Sequence, residues 1–267
     1  MHEPRPLSES RDQTWRDIQG VFADIDDTLT TGGRVTAGVF QVMERLREAG
    51  LLVIPITGRP AGWCDLIARQ WPVDAVVGEN GAFYFRYDES NRTMQRVYTD
   101  DVQTREENKI KLDAICDEIL ESIPGCAVSA DQAFRTSDLA IDFCEDVEPL
   151  SEDAVRKIVG IFTRHGATAK VSSIHVNGWF GDYDKLTMTK RLMHEQFGID
   201  LGSSEAGYTF AGDSPNDAPM FGFFSNAVGV ANLKPFLKQC EDAPAWMTQA
   251  EGGAGFFELA EHILALR

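Results

Sequence analysis

No uninterrupted apolar run in this chain approaches the roughly 20 residues needed to span a bilayer, so a membrane-spanning helix is not expected. The five cysteines (Cys64, Cys116, Cys126, Cys144 and Cys240) are odd in number and scattered. None forms a CxxC pair or stands at zinc-ligand spacing. A disulfide framework and a zinc site are therefore both excluded, and the thiols read as free and buried. Cationic residues are also scarce: 25 Lys and Arg against 42 Asp and Glu give a formal charge of −17. A field of that sign repels nucleic-acid phosphates and anionic membranes, which excludes both as partners. It also opposes any phosphorylated substrate unless local cations offset it. The N-terminal MHEPRPLSESRDQTWRD is polar and lacks the apolar centre of a signal peptide. The expectation is a flexible tail over 1–14 and a cytoplasmic protein. The sequence leaves the oligomeric state, monomer or dimer, undetermined.

Among the features present, the clearest is an alternation of short apolar runs with amphipathic stretches. GVFADID reads as a buried strand. Thr36 then caps a helix with Val39, Val42, Met43 and Leu46 on one side, and Gly50 ends it. LLVIPIT and DAVV read as further strands, with Pro60 at a first helical position between them. Strands separated by helices imply a parallel sheet. After Gly81 the texture changes to a hairpin over 82–98, helices near 105–122 and 152–165, and short strands at 137–143 and 167–177. From Lys185 the α/β rhythm returns through GYTFAG to a terminal helix. The expected class is α/β: a Rossmann-like parallel-sheet core over 15–82 and 180–267, with an α+β cap inserted over 83–179.

Four motifs stand at expected strand ends, where ligands bind in parallel sheets. In the first, Asp24-Ile25-Asp26-Asp27-Thr28, one carboxylate can attack while the next handles protons. Two carboxylates about 4 Å apart repel by roughly 4 kcal/mol at an effective dielectric near 20. A divalent cation removes that penalty, and oxygen donors favour magnesium over zinc. In Ile56-Thr57-Gly58-Arg59-Pro60, the Thr57 hydroxyl and the free N–H groups of a helix start suit a phosphoryl oxygen, although the same residues also make an ordinary helix cap. Lys185 can neutralise both nucleophile and phosphoryl group, with Lys190 a competitor. In Gly212-Asp213-Ser214-Pro215-Asn216-Asp217, Asp213 suits a metal ligand, and Asp217 suits orientation of Lys185 or the metal. A helix-capping turn is the plain alternative there.

The ordered set DIDDTLT, ITGRP, Lys185, GDSPND resembles the haloacid dehalogenase superfamily of phosphotransferases. The position and mixed texture of the insertion resemble its class IIB branch, which includes Cof-type sugar phosphatases, sucrose- and trehalose-phosphate phosphatases, and the phosphomannomutases. The resemblance implies a Mg²⁺-dependent phosphatase acting on a small phosphorylated metabolite such as a sugar phosphate, through an aspartyl-phosphate. It gives Asp24 as nucleophile and Asp26 as acid and base, with Thr57 and Lys185 holding the phosphoryl group. The implied metal set is Asp24, Asp26 through its backbone carbonyl, Asp213 and Asp217. The implied substrate-facing set is Thr57, Gly58, Arg59, Asn80, Arg135, Lys185 and Asn216. Asn80 and Gly81 fall where core meets insertion and read either as a hinge that touches substrate or as a plain turn. Arg135 can bind a second anion or sugar hydroxyls, unless it is a surface arginine paired with Asp138 or Asp131. His175 reads as packed. Relatives often carry glycine where this chain has Asp27, which alters the turn. Two other readings remain: a hexose-phosphate mutase, less favoured by Thr-Gly-Arg-Pro, and a non-catalytic metabolite-binding regulator.

Overall fold

The computed structural model describes residues 3–10 and 12–267. Six parallel strands form the main sheet, in the order Arg5–Pro6, Trp246–Met247, Val228–Gly229, Tyr208–Gly212, Gly20–Ala23, Leu52–Pro55. The two central strands, Gly20–Ala23 and Tyr208–Gly212, are buried along their whole length. Successive side chains of a strand point to opposite faces, and the core divides accordingly. Val21, Ala23, Val53 and Ala211 join one apolar cluster, while Phe22, Ile54, Ile56 and Phe210 join the other. Helices Ala37–Glu48 and Gly252–Leu264 cover the first face through Val39, Val42, Met43, Leu46, Phe256, Leu259 and Ile263. Helix Lys185–Phe197 covers the second through Met188, Leu192 and Met193. Thr36 caps the first of these helices, and Gly50 follows it at φ +81°. Pro60 lies one residue earlier than expected, as the N-cap of Ala61–Gln70.

Where it is described, over residues 3–10 and 12–14, the N-terminal segment departs from the expectation of a flexible tail over 1–14; residues 1, 2 and 11 lie outside the described residues. Arg5–Pro6 pairs with Trp246–Met247 as the outermost strand, and Leu7 is buried. Trp15 lies edge-on to His262 in the terminal helix and donates through Nε1 to Ser10 Oγ at 2.7 Å. Polar composition hid a strand of two residues that an apolar neighbour and a buried tryptophan hold in place.

The hairpin Phe83–Asp88 and Thr93–Tyr98 forms as expected, but it packs on the core. It pairs with Val76–Gly78, which continues the main sheet through the Ile56–Val77 bridge. Phe83 and Phe85 enter one core cluster, and Tyr84 enters the other.

The remaining insertion has a core of its own. Its antiparallel sheet runs Thr168–Val171, His175–Trp179, Asp138–Asp142, Ala127–Val128. Helices Val102–Ser122 and Glu152–Arg164 cover one face, meeting Leu139, Ile141 and Val176 through Leu112, Ile115, Ile119, Ile158 and Phe162. Gly178 is required there, because a Cβ would lie 2.1 Å from the Phe162 ring. By the same alternation, Asp138, Asp142, His175 and Asn177 occupy the opposite face of the sheet, and all four are buried. Among the described residues, no helix is long and apolar enough to cross a membrane.

Candidate active site

Asp24 follows the strand Gly20–Ala23, and Asp213 follows the adjacent strand Tyr208–Gly212, so the sheet register alone places both carboxylates at one edge. Among the described residues, Asp24, Asp213 and Asp217 form a buried carboxylate group with one oxygen of each within 4.8 Å of the others. Asp217 reaches it from the turn Pro215–Asp217. Gly212 makes the approach possible, since a Cβ there would lie 2.5 Å from Asp217 Oδ2.

Lys185 opens the helix Lys185–Phe197 and sends Nζ to Asp24 Oδ1 and Asp217 Oδ1, at 2.7 Å each. Burial pulls its pKa down, but Asp217 and Asp24 together hold it above the ordinary lysine value. Burial also raises Asp24, to about 7; Lys185 opposes the rise, while Asp217 and Asp26 add to it. Asp213 is pushed well up by burial, then by Asp24, Asp217 and Asp27. Three oxygen-donor carboxylates sharing one lysine make a set short of positive charge, and such a set fits a hard divalent cation. Lys190 is not part of the site: its Nζ lies 4.1 Å from the centre of the Phe223 ring.

Asp26 faces the other way. Its carboxylate accepts from Arg59 Nε at 3.0 and 2.9 Å and from Arg59 Nη2 at 2.8 Å. It therefore lies outside the three-carboxylate group, and only its backbone is left to serve a cation. The Arg59 Nη2 also donates to Glu145 Oε1 at 2.8 Å. Glu145 is held near pKa 2, first by His175, whose Nε2 lies 2.9 Å away, and then by Arg59. Asp142 sets this loop by accepting the backbone N–H groups of Cys144, Glu145 and Asp146.

Thr57 is fully buried, and its hydroxyl accepts from the Arg59 backbone N–H at 3.0 Å. A Cβ on Gly58 would lie 3.2 Å from the Asn80 amide, so these two residues pack together. Gly58, Arg59, Arg135 and Asn216 line the hollow above Asp24 and Asp26; Lys185 reaches its floor through Asp24, while Thr57 and Asn80 pack beside Gly58 without lining it. Arg135 is not on the surface. Its side chain is 1% exposed, bound to Asp131 and Asp138 and donating to the Gly58 carbonyl at 3.0 Å. It ties the inserted sheet to the second motif instead of offering a free cation to a substrate.

Two contacts at the candidate site were missed in the sequence. Thr28 Oγ1 donates to Asp213 Oδ1 at 3.1 Å, a bond between residues 185 positions apart. Its place in DxDxT was the one available signal. The pair Glu145 and His175 had no signal, because their role depends on how the inserted sheet meets the core.

Residues 21–131 match the haloacid dehalogenase-like hydrolase family. No curated protein sequence matches the chain. Solved structures with the same fold include a Thermoplasma acidophilum protein (TM-score 0.70, 15% identity), covering 94% of this chain and 99% of its own. The sucrose-phosphatase of Synechocystis, solved with sucrose and phosphate, aligns at TM-score 0.64 and 14% identity over 93% of this chain and 98% of that one. A HAD/COF-like hydrolase from Plasmodium vivax aligns at TM-score 0.69 and 14% identity, over 96% of this chain and 100% of its own. The match to the haloacid dehalogenase-like hydrolase family thus covers residues 21–131, and solved structures share the fold over nearly the whole length of the chain.

Proposed function

We propose that the protein is a magnesium-dependent phosphatase that hydrolyses a small phosphorylated metabolite, of the sugar phosphate class, through an aspartyl-phosphate on Asp24. The observation that carries this reading is the Lys185 clamp, 2.7 Å from both Asp24 and Asp217, beside Asp213. Structural neighbours that are sugar phosphatases, among them the Synechocystis enzyme, support the substrate class.

The chain's own groups supply most of the chemistry. Asp24 is fixed by Lys185 for attack on phosphorus, which splits one hard displacement into two easier ones. Asp26, oriented by Arg59, gives a proton to the leaving oxygen and later takes one from water. The Thr57 hydroxyl and Lys185 hold phosphoryl oxygens and balance their charge. Asp24, the backbone carbonyl of Asp26, and Asp213 would hold Mg²⁺, with Asp217 and Asn216 in support. When bound, the cation neutralises charge on the transferring group. These cations also answer the repulsion that a net charge of −17 imposes on an anionic substrate. The inserted segment, from helix Val102–Ser122 to strand His175–Trp179, acts as the cap that shields the site and selects the substrate.

The test is phosphate release from a panel of sugar phosphates, with Mg²⁺ and with EDTA, in the parent and in Asp24→Asn. Magnesium-dependent release that Asp24→Asn abolishes is expected. Undiminished turnover in Asp24→Asn would sink the covalent route. No release from any ester in the parent would sink the phosphatase reading.

A further inference from the structure

The hollow directly above Asp24 and Asp26 holds only about 20 Å³, room for little more than one water molecule. Arg59, Asp26, His175 and Arg135 close around it. With the inserted sheet in this position, the alcohol portion of an ester bound at Asp24 has no space on that side. Space exists elsewhere. A second cavity of about 810 Å³ opens between core and insertion, within the range of ligand-sized pockets, roughly 300–1,000 Å³. The two hollows adjoin: Asp213 and Ser214 from the core and Ser172 and Ser173 from the insertion line both.

The walls of the larger cavity define its ligand. The insertion contributes Phe143, Leu150, Val155 and Val171, and the core contributes Phe236. Phe236 and Val171 keep 44% and 37% of their surface exposed, so a ligand that covers them gains the transfer free energy of that apolar area. The ionic groups are unsuited to a second phosphate. Asp27, Asp213, Glu152 and Glu251 face Arg156 as the lining cation, and that arginine is already paired with Glu152 and Asp153. The occupant is therefore uncharged beyond its reacting phosphate and carries an apolar portion for Phe143, Leu150, Val155, Val171 and Phe236, while Thr30, Thr31, Asn232 and Gln239 can meet hydroxyls.

We infer that this cavity is a subsite for the leaving alcohol, and that the substrate is a phosphate monoester whose alcohol carries an apolar alkyl or aryl portion. The inference rests on the phosphatase reading for its anchor at Asp24 and narrows the substrate class beyond it.

Calorimetric binding of methyl-, butyl- and octylphosphonate to the full chain in Mg²⁺, below micelle-forming concentrations, tests it without requiring turnover. Each methylene that enters the cavity tightens binding by a factor of about four. Octylphosphonate is expected to bind at least about thirtyfold more tightly than methylphosphonate, since several of its methylenes become buried. In Phe236→Asp and in Val171→Asp the octyl-to-methyl ratio should collapse to within about threefold, an apolar tail then meeting a carboxylate. A parent ratio near one, or an unchanged ratio in both variants, overturns the subsite. Failure of the phosphatase reading shows separately, as absence of phosphate release from octyl phosphate while the binding ratio persists.

Discussion

Arg59 binds Asp26 with two prongs, Nε at 2.9 Å from Oδ2 and Nη2 at 2.8 Å from Oδ1, and the same Nη2 reaches Glu145 at 2.8 Å. The proposed proton-transfer carboxylate is thus aimed by an arginine that also contacts the insertion. A fork of this kind fixes direction as well as charge. Lysine supplies the charge without the fork. Arg59→Lys is therefore expected to lower kcat by about a hundredfold, the lower range for losing an oriented general acid, with a smaller change in KM. Steady-state kinetics on p-nitrophenyl phosphate measure this, and a kcat within twofold of the parent would remove Arg59 from the positioning role.

Lys185 is the positive charge that the structure places among Asp24, Asp213 and Asp217. Removing one partner from a buried ionic group leaves the others uncompensated, at a cost of roughly 3–5 kcal/mol. Lys185→Met should lose about that much stability in metal-free buffer, as measured by urea unfolding, together with nearly all activity. Added Mg²⁺ should recover part of the stability, because a cation again stands beside the carboxylates. Equal losses with and without Mg²⁺ would argue that no cation binds at this group.

Much of the core could be read in advance because its signals are local. Val21, Phe22 and Ala23 alternate at the period of a strand, and Thr36 and Gly50 bracket a helix with ordinary cap chemistry. Three of the four motifs follow strands and Lys185 opens a helix, so a parallel register brings Asp24 and Asp213 together without further information. What stayed hidden depends on contacts between distant segments. Arg135 has the composition of a surface cation, and only the packing of the inserted sheet buries it against Asp131, Asp138 and the Gly58 carbonyl. The strand Arg5–Pro6 is too short and polar to carry a periodicity, and it exists because Trp246–Met247 offers an edge.

Asp27, where relatives often have glycine, sits at φ +55°. That left-handed geometry favours glycine and tolerates aspartate at a cost of roughly 1 kcal/mol. The backbone is pinned on both sides, by its N–H to Thr30 Oγ1 at 2.8 Å and by its carbonyl to Asn232 Nδ2 at 2.9 Å. Asp27→Gly should therefore change stability by no more than about 1 kcal/mol. Its charge, however, is among those that push Asp213 upward and would draw a cation. The half-saturating Mg²⁺ concentration should rise several-fold in Asp27→Gly, with kcat at saturating Mg²⁺ retained. Titration of activity with Mg²⁺ checks this, and an unchanged midpoint would mean the Asp27 charge is screened from the site.

Glu79 joins core to insertion from a fully buried position. Its carboxylate accepts the backbone N–H of Ala61 at 2.9 Å on the core side, and those of Thr136 at 3.0 Å and Ser137 at 2.6 Å on the other. Burial, and then Asp138, push it up to about 8, against Arg135 and the N–H groups of Ala61 and Thr136. A carboxyl whose folded value lies above its unfolded value of about 4.5 adds stability at low pH and loses that contribution as pH rises through about 8. Unfolding free energy should accordingly fall between pH 5 and pH 9, by on the order of a few kcal/mol from this residue. Glu79→Gln keeps one oxygen, enough for the Ala61 and Thr136 N–H groups on Oε1 but not for the Ser137 N–H on Oε2, so it should be less stable throughout; having nothing to ionise, it should decline less over that interval. Urea unfolding of parent and variant at pH 5, 7 and 9, in the same Mg²⁺ buffer, makes the comparison with Asp24 and Asp213 common to both. Identical pH dependence in the two proteins would mean that Glu79 stays ionised in its buried site, held by the three N–H donors and Arg135 against the cost of desolvation.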